Sequence, residues 1–239
     1  MGENREHTGG VLYVVSTPIG NLEDITLRAL RTLREVNLIA VEDTRRTRKL
    51  LTYYEIKTPM TSYFEHNEQT KSGFLLSLLK KGERIALVSD AGTPGISDPG
   101  YRLINKAIEN HITVIPVPGV SSITAALSVS GLATHSFLFK GFIPPKTAKR
   151  RKFLDGLKHE EVTLIFFESP MRFMNTLEDL LDLCGNRKIV IAREMTKIFE
   201  EVIRGQVSEV IDQLKNKKIK GEITIMLEGF KDDKKGERG

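Results

Sequence analysis

The sequence predicts an α/β protein of two domains, with a mostly parallel N-terminal sheet and a mixed C-terminal sheet. Three observations predict it. Short apolar runs of strand length alternate with amphipathic helical patterns through the first half, as in consecutive βαβ units. Glycine- and proline-rich turns follow successive apolar runs at residues 17–21, 89–100 and 116–122. Beyond Gly131 some strand patterns follow one another directly, so antiparallel pairing is expected there.

Residues 11–16 read as a buried strand, and the turn at 17–21 feeds a helix whose apolar stripe includes Ile25, Ala29, Leu30 and Leu33. Residues 38–41 make a short strand ending at Glu42 and Asp43, and a basic helical segment then runs to Tyr54. Residues 74–79 belong to a helix and 85–88 to an apolar strand. Pro99 is expected to begin the next helix, with Asp98 as its cap, because a carboxylate there can accept an otherwise unpaired backbone N–H. A strand at 112–117 leads to a small-residue helix starting at Ser121 or Ser122, and the first domain is expected to span 1–131.

The second domain is expected over 132–230. Residues 137–152, with glycine, the Pro144-Pro145 pair and a basic run, read as a linker or loop. Strands are expected at 162–167, 189–192, 202–204 and 223–227, and helices at 171–183 and 207–217. Residues 231–239 form a charged tail.

Hydrophobic residues at 40% and charged residues at 28% describe a globular protein, and no apolar run approaches bilayer-spanning length. Residues 1–10 carry no apolar signal-peptide core, and the lone Cys184 excludes an intrachain disulfide framework. A cytoplasmic protein without membrane attachment is expected. Lys and Arg outnumber Asp and Glu 36 to 31, a formal charge of +5 that is compatible with a polyanionic partner. The excess is clustered at Arg45, Arg46, Arg48 and Lys49, at Lys146, Lys149, Arg150, Arg151 and Lys152, and at Lys215, Lys217, Lys218 and Lys220. A solvated helix face would account for any one cluster; three in one short chain favour an anionic surface.

The glycine- and proline-rich turns have the address of a ligand site, since open α/β sheets bind ligands beyond the carboxyl ends of their strands. Glycine allows close backbone approach, and Asp, Ser and Thr supply orienting hydrogen bonds. No GxGxxG or GxxxxGKS/T phosphate loop is present, no HExxH or paired-cysteine cluster, and no GxSxG elbow. The five histidines are scattered, so no metal site is expected. Residue chemistry alone stops at a nucleotide- or cofactor-binding α/β protein.

Further motifs narrow this. The run Gly10-Val11-Leu12-Tyr13-Val14-Val15-Ser16-Thr17-Pro18-Ile19-Gly20-Asn21-Leu22-Glu23-Asp24-Ile25 is followed by Glu42-Asp43-Thr44-Arg45, Glu65-His66-Asn67-Glu68 and the 89–100 loop. Glu168-Ser169-Pro170, Ala192-Arg193-Glu194 and Gly221-Glu222-Ile223 complete the set. With these motifs the chain resembles, over residues 10–229, the tetrapyrrole methylase superfamily, and within it the bacterial branch that methylates small-subunit ribosomal RNA. Val120 and Met171 depart from the family's usual proline and histidine, and the second departure removes a catalytic imidazole from that place.

The resemblance implies a two-domain, homodimeric enzyme that binds S-adenosyl-L-methionine between its domains. It implies methyl transfer to the ribose 2'-oxygen of a cytidine, cytidine 1402, in 16S ribosomal RNA or the small ribosomal subunit. Carried over where motifs match, the cofactor contacts are Pro18, Asp90, Ala91, Gly92, Ile96, Ser121 and Ser122, with Phe167, Ala192 and Gly221 from the second domain. Glu42, Asp43 and Asp98 are the candidate bases or orienting groups for the hydroxyl. Arg45, Arg46, Lys146, Lys149, Arg150 and Arg151 are the candidate phosphate contacts. Phe142 is a candidate for base stacking, with burial against Phe139 as the alternative. An enzyme acting on a tetrapyrrole precursor and a noncatalytic RNA-binding protein are the competing readings.

Overall fold

The computed structural model describes residues 9–231, so the tail expected at 231–239 lies outside the described residues except for Lys231. The chain divides into two compact units, 1–121 and 122–239. The division falls ten residues before the boundary expected at 131, because the small-residue helix after Ser121 packs with the second unit.

The first unit is a five-stranded, wholly parallel sheet built from β1 (Val11–Val15), β2 (Leu38–Val41), β3 (Met60–Ser62), β4 (Arg84–Val88) and β5 (Thr113–Val117). The strand order is β3-β2-β4-β1-β5. The chain therefore leaves β1 toward β2 on one side and leaves β4 toward β5 on the other. Right-handed crossovers then put the intervening helices on opposite faces. On one face α1 (Leu27–Glu35) and α2 (Thr44–Tyr53) cover Val15, Ile39, Val41, Ala86 and Val88. On the other, α3 (Glu68–Lys80) and α4 (Tyr101–Glu109) cover Leu12, Ala40, Ile85 and Leu87. β1 and β4 lie side by side at the reversal, where a doubly wound sheet opens a crevice at its carboxyl edge.

Local chemistry sets these elements. Thr26 caps α1 by accepting from the Ala29 amide at 3.1 Å, and Ala29, Leu30 and Leu33 form its buried stripe. Ile25, expected in that stripe, precedes the helix and follows a short 3-10 turn, Leu22–Asp24. The helix expected from Pro99 begins instead at Tyr101, with Gly100 at the cap position expected for Asp98. The reason lies in the preceding turn: the Gly95 amide donates to the Pro99 carbonyl and the Gly100 amide to Glu68 Oε1. Gly100 has φ +145, and a Cβ there would meet Gly95 N and Leu87 Cδ2, each at 3.1 Å.

The second unit holds α5 (Ser122–Ser128), β6 (Phe137–Phe142), α6 (Thr147–Asp155), β7 (Thr163–Glu168), α7 (Phe173–Cys184), β8 (Lys188–Arg193), β9 (Glu201–Gln206), α8 (Val207–Leu214) and β10 (Ile223–Leu227). Its sheet runs β6-β7-β10-β8-β9, parallel only between β6 and β7. The segment 137–152 is thus a correction: it forms an edge strand and a helix rather than a linker. Gly141 at φ +68 and a register shift between Phe139 and Phe142 interrupt the strand pattern in sequence. Helices α6, α7 and α8 bury one face of the sheet over Leu164, Phe166, Ile191 and Ile225, and α5 lies on the other.

Candidate active site

At the carboxyl edge of the first sheet, the three glycine- and proline-rich loops meet. The Thr17 and Gly92 backbones exchange hydrogen bonds of 2.9 and 3.0 Å, tying the loop after β1 to the loop after β4. Ser16 Oγ lies 2.8 Å from Thr93 Oγ1, and Thr17 Oγ1 donates to the Ser89 carbonyl at 3.1 Å. The loop after β5 approaches too: a Cβ on Gly119 would stand 2.9 Å from Ser16 Cβ, so only glycine fits without displacement. Pro18, Ala91, Gly92 and Ile96 are thereby drawn to one edge, with Ile96 47% exposed. Ser121 ends this unit, whereas Ser122 opens α5 in the other.

The loop after β2 joins the same edge through carboxylates. The Asp90 amide donates to Glu42 Oε2 at 3.3 Å, and the Asp43 amide donates to Asp90 Oδ1 at 3.0 Å. Arg46 Nη1 pairs with Asp90 Oδ2 at 3.3 Å. Asp90, expected to orient cofactor groups, thus has both oxygens engaged within its own unit.

The three candidate bases separate. Asp43 caps α2 through the Arg45 amide at 2.8 Å and receives the Arg45 guanidinium at 3.2 and 3.0 Å. That guanidinium first, and the Arg45 amide second, hold the Asp43 carboxyl down at about 2. Burial raises the Glu42 carboxyl above its ordinary value, the neighbouring Asp90 charge adds to it, and the Asp90 amide and Arg46 oppose it. Asp98 sits in the turn that Glu68 fixes.

Glu68 itself was not assigned from the sequence, although its Glu65-His66-Asn67-Glu68 motif stood out. Its Oε1 accepts from Gly100 N at 2.9 Å and its Oε2 pairs with Arg102 at 3.4 Å, so it anchors the far end of the 89–100 loop. Next to it, Tyr63 is buried with its hydroxyl 3.1 Å from Ser72 Oγ, and burial pushes that phenol up to about 12.

In the second unit, Phe167 on β7 and Ala192 on β8 flank Thr224 of β10 in register, all on the α5 face. The Phe167 ring packs edge-on against Phe139 at 5.0 Å and against the exposed Phe142 at 5.4 Å, so Phe142 packs on Phe167 rather than on Phe139. Gly221 has φ +87, and a Cβ there would fall 2.3 Å from Glu194 Cδ. Its bareness admits the Glu194 carboxylate, which accepts from Glu222 N at 3.0 Å and from Lys197 Nζ at 2.8 Å. Glu168, expected only as part of a motif, is buried and accepts from Ser169 N, Arg172 Nη2 and Thr176 Oγ1. It fixes the corner between β7 and α7.

The basic cluster on α6 needs a correction. Arg150 is only 4% exposed, and its Nε donates to Asp179 Oδ2 at 2.6 Å. Arg151 is bound to Asp179 at 2.6 Å and to Asp182 at 2.5 Å. A buried guanidinium already neutralised by a carboxylate is not a phosphate contact. Lys146, Lys149 and Lys152 remain exposed on this helix, as do Arg45 and Arg46 on α2.

The loops also suit a particular ligand chemistry. Their own charged side chains are Asp90 and Asp98, with no lysine or arginine in 17–21, 89–100 or 116–122. Bare backbone at Gly92, with φ +80, faces the Ile19 side chain, and Ile96 in the same loop is half-exposed. Acids next to small and apolar residues fit a cationic sulfonium nucleoside better than a pyrophosphate.

Comparisons with known proteins bear on the family and the fold. A family model for Tetrapyrrole (Corrin/Porphyrin) Methylases matches residues 11–211. The chain is 51% identical over 220 residues to Ribosomal RNA small subunit methyltransferase I of Thermotoga maritima, covering 92% of this chain and 99% of that protein. It is 50% identical over 220 residues to the protein of the same name from Halalkalibacterium halodurans, covering 92% and 76%. Among solved structures, diphthine synthase aligns with a TM-score of 0.69 at 15% identity, covering 92% of this chain and 90% of that one. Uroporphyrin-III-C-methyltransferase from Thermus thermophilus aligns with a TM-score of 0.65 at 21% identity, covering 91% and 94%. At such identities these two show the fold alone.

Proposed function

The chain belongs to the tetrapyrrole methylase family, and from that premise we propose that it is an S-adenosylmethionine-dependent methyltransferase of small-subunit ribosomal RNA, acting on the ribose 2'-oxygen of a cytidine, cytidine 1402. The observation that carries the reading is the 51% identity, across nearly the whole of both chains, to a protein named for methylation of that RNA. The charge pattern supports it. Exposed Arg45, Arg46, Lys146 and Lys149 supply cations for a phosphate backbone.

Bound S-adenosylmethionine supplies an electrophilic methyl group on a sulfonium centre. Pro18, Asp90, Ala91, Gly92, Ile96 and Ser121 would hold it at the carboxyl edge of the first sheet. The protein's own work is to bring the hydroxyl in line with that methyl and to accept a proton, because a ribose hydroxyl is a weak nucleophile. Under this reading the enzyme works in the cytoplasm as a homodimer on the 16S ribosomal RNA or the small subunit.

Calorimetry with S-adenosylmethionine, followed by transfer of a labelled methyl group, tests the assignment. Saturable binding that S-adenosylhomocysteine displaces, with label entering ribosomal RNA, is expected. Label entering a tetrapyrrole precursor and not RNA overturns the substrate assignment, and tight RNA binding without transfer overturns the enzyme assignment.

A further inference from the structure

We propose that Glu42 is the group that takes the proton from the ribose 2'-hydroxyl, its carboxylate held in place by the Asp90 amide. The inference rests on the function proposed above and selects one residue among the acids gathered at the edge of the first sheet.

Geometry makes the selection. Asp43 has its carboxylate committed to the α2 N-terminus and to the Arg45 guanidinium. Asp90 has one oxygen on the Asp43 amide and the other on Arg46. Among the described residues Glu42 receives one hydrogen bond, from the Asp90 amide to Oε2, which leaves Oε1 to meet a substrate hydroxyl. Its backbone position serves as well. Glu42 directly follows β2, whose neighbour β4 leads into the 89–100 loop, so the carboxylate stands among the residues assigned to the methyl donor.

The groups facing Glu42 explain its basicity. Burial raises its carboxyl most, Asp90 from the loop after β4 and the adjacent Asp43 raise it further, and the Asp90 amide and Arg46 of α2 lower it. A carboxylate raised in this way binds a proton more readily than an exposed one, as a general base requires. The step balances without another reactant. The hydroxyl oxygen forms its bond to the methyl carbon as the carbon–sulfur bond breaks and its electron pair stays on sulfur. The O–H proton passes to Glu42 Oε1, and the resulting carboxylic acid returns it to solvent.

The test is single-turnover transfer at saturating S-adenosylmethionine and ribosomal RNA across pH, with the position of the new methyl group read by nucleoside mass spectrometry. The parent rate should rise through one ionisation to a plateau. Glu42→Gln should lower the plateau by about 100-fold or more and flatten that rise, while both dissociation constants stay within about twofold. Arg46→Met should move the rise to higher pH, because it removes a cation that favours ionised Glu42; this readout holds even if the Gln variant folds poorly. A Gln variant that keeps the parent's rate and profile overturns the role of Glu42, as does an unmoved profile in Arg46→Met. A parent that labels ribose leaves the proposed function standing in those cases; a parent that labels only bases sinks both.

Discussion

Arg150 and Asp179 form a buried ion pair between α6 and α7, with Nε 2.6 Å from Oδ2 and both side chains nearly enclosed. Asp179 also accepts from Arg151, and so holds two guanidinium groups at the base of the second unit's helical layer. Removing one partner strands a buried charge, which costs far more than the intact pair contributes. Asp179→Asn is therefore expected to destabilise the protein by about 3–5 kcal/mol in denaturant unfolding.

The same pair sets an acid limit. Burial pushes the Asp179 carboxyl up, but the Arg150 and Arg151 hydrogen bonds outweigh it and hold it below its ordinary 3.8. A depressed carboxyl stabilises the fold above its unfolded value and loses that contribution as pH falls through the folded value. Unfolding midpoints of the parent should drop as pH is lowered below about 4, and the drop should be smaller in Asp179→Asn.

RNA engagement on α6 should depend on its lysines and not on its buried arginine. Lys146→Ala with Lys149→Ala should reduce the salt dependence of RNA binding by about 1.4 to 1.8 in the log–log slope, since each phosphate contact adds about 0.7 on a single strand and about 0.9 on a duplex. Affinity for S-adenosylmethionine should not change. An unaltered slope in a filter-binding salt titration would remove these lysines from the interface.

Gly221→Ala should disturb the β8–β9 connection. The added Cβ lands on the Glu194 carboxylate at a backbone angle that L side chains avoid. A loss of more than about 1 kcal/mol is expected. Faster hydrogen exchange at the Glu222 amide, now without Glu194 Oε1, is the local signature.

What the sequence reveals here depends on the range of the interaction. β1 and β4 were legible because largely buried parallel strands read as near-continuous apolar runs, and the 89–100 loop because glycine and proline mark turns. β6 was hidden by Gly141 and by its bulged pairing at a sheet edge. Arg150 was misread because a basic run looks solvated when taken as composition. Its spacing told otherwise: Arg150, Leu154 and Leu157 share one buried stripe, opposite the Phe173, Thr176, Leu177 and Leu180 stripe that includes Asp179. The commitment of Asp43 is local, to Arg45 two residues on, whereas the contact that holds Glu42 joins residues 48 apart along the chain, which spacing does not encode.

The most direct measurement of the central claim is alkaline hydrolysis of ribosomal RNA from cells with and without this protein, joined to nucleoside mass spectrometry. A methylated 2'-oxygen cannot attack the adjacent phosphate, so the linkage survives alkali. The account predicts one alkali-resistant cytidine linkage in small-subunit RNA that disappears with the protein and returns when it is restored. Loss of a base methyl mark with every resistant linkage unchanged would contradict it.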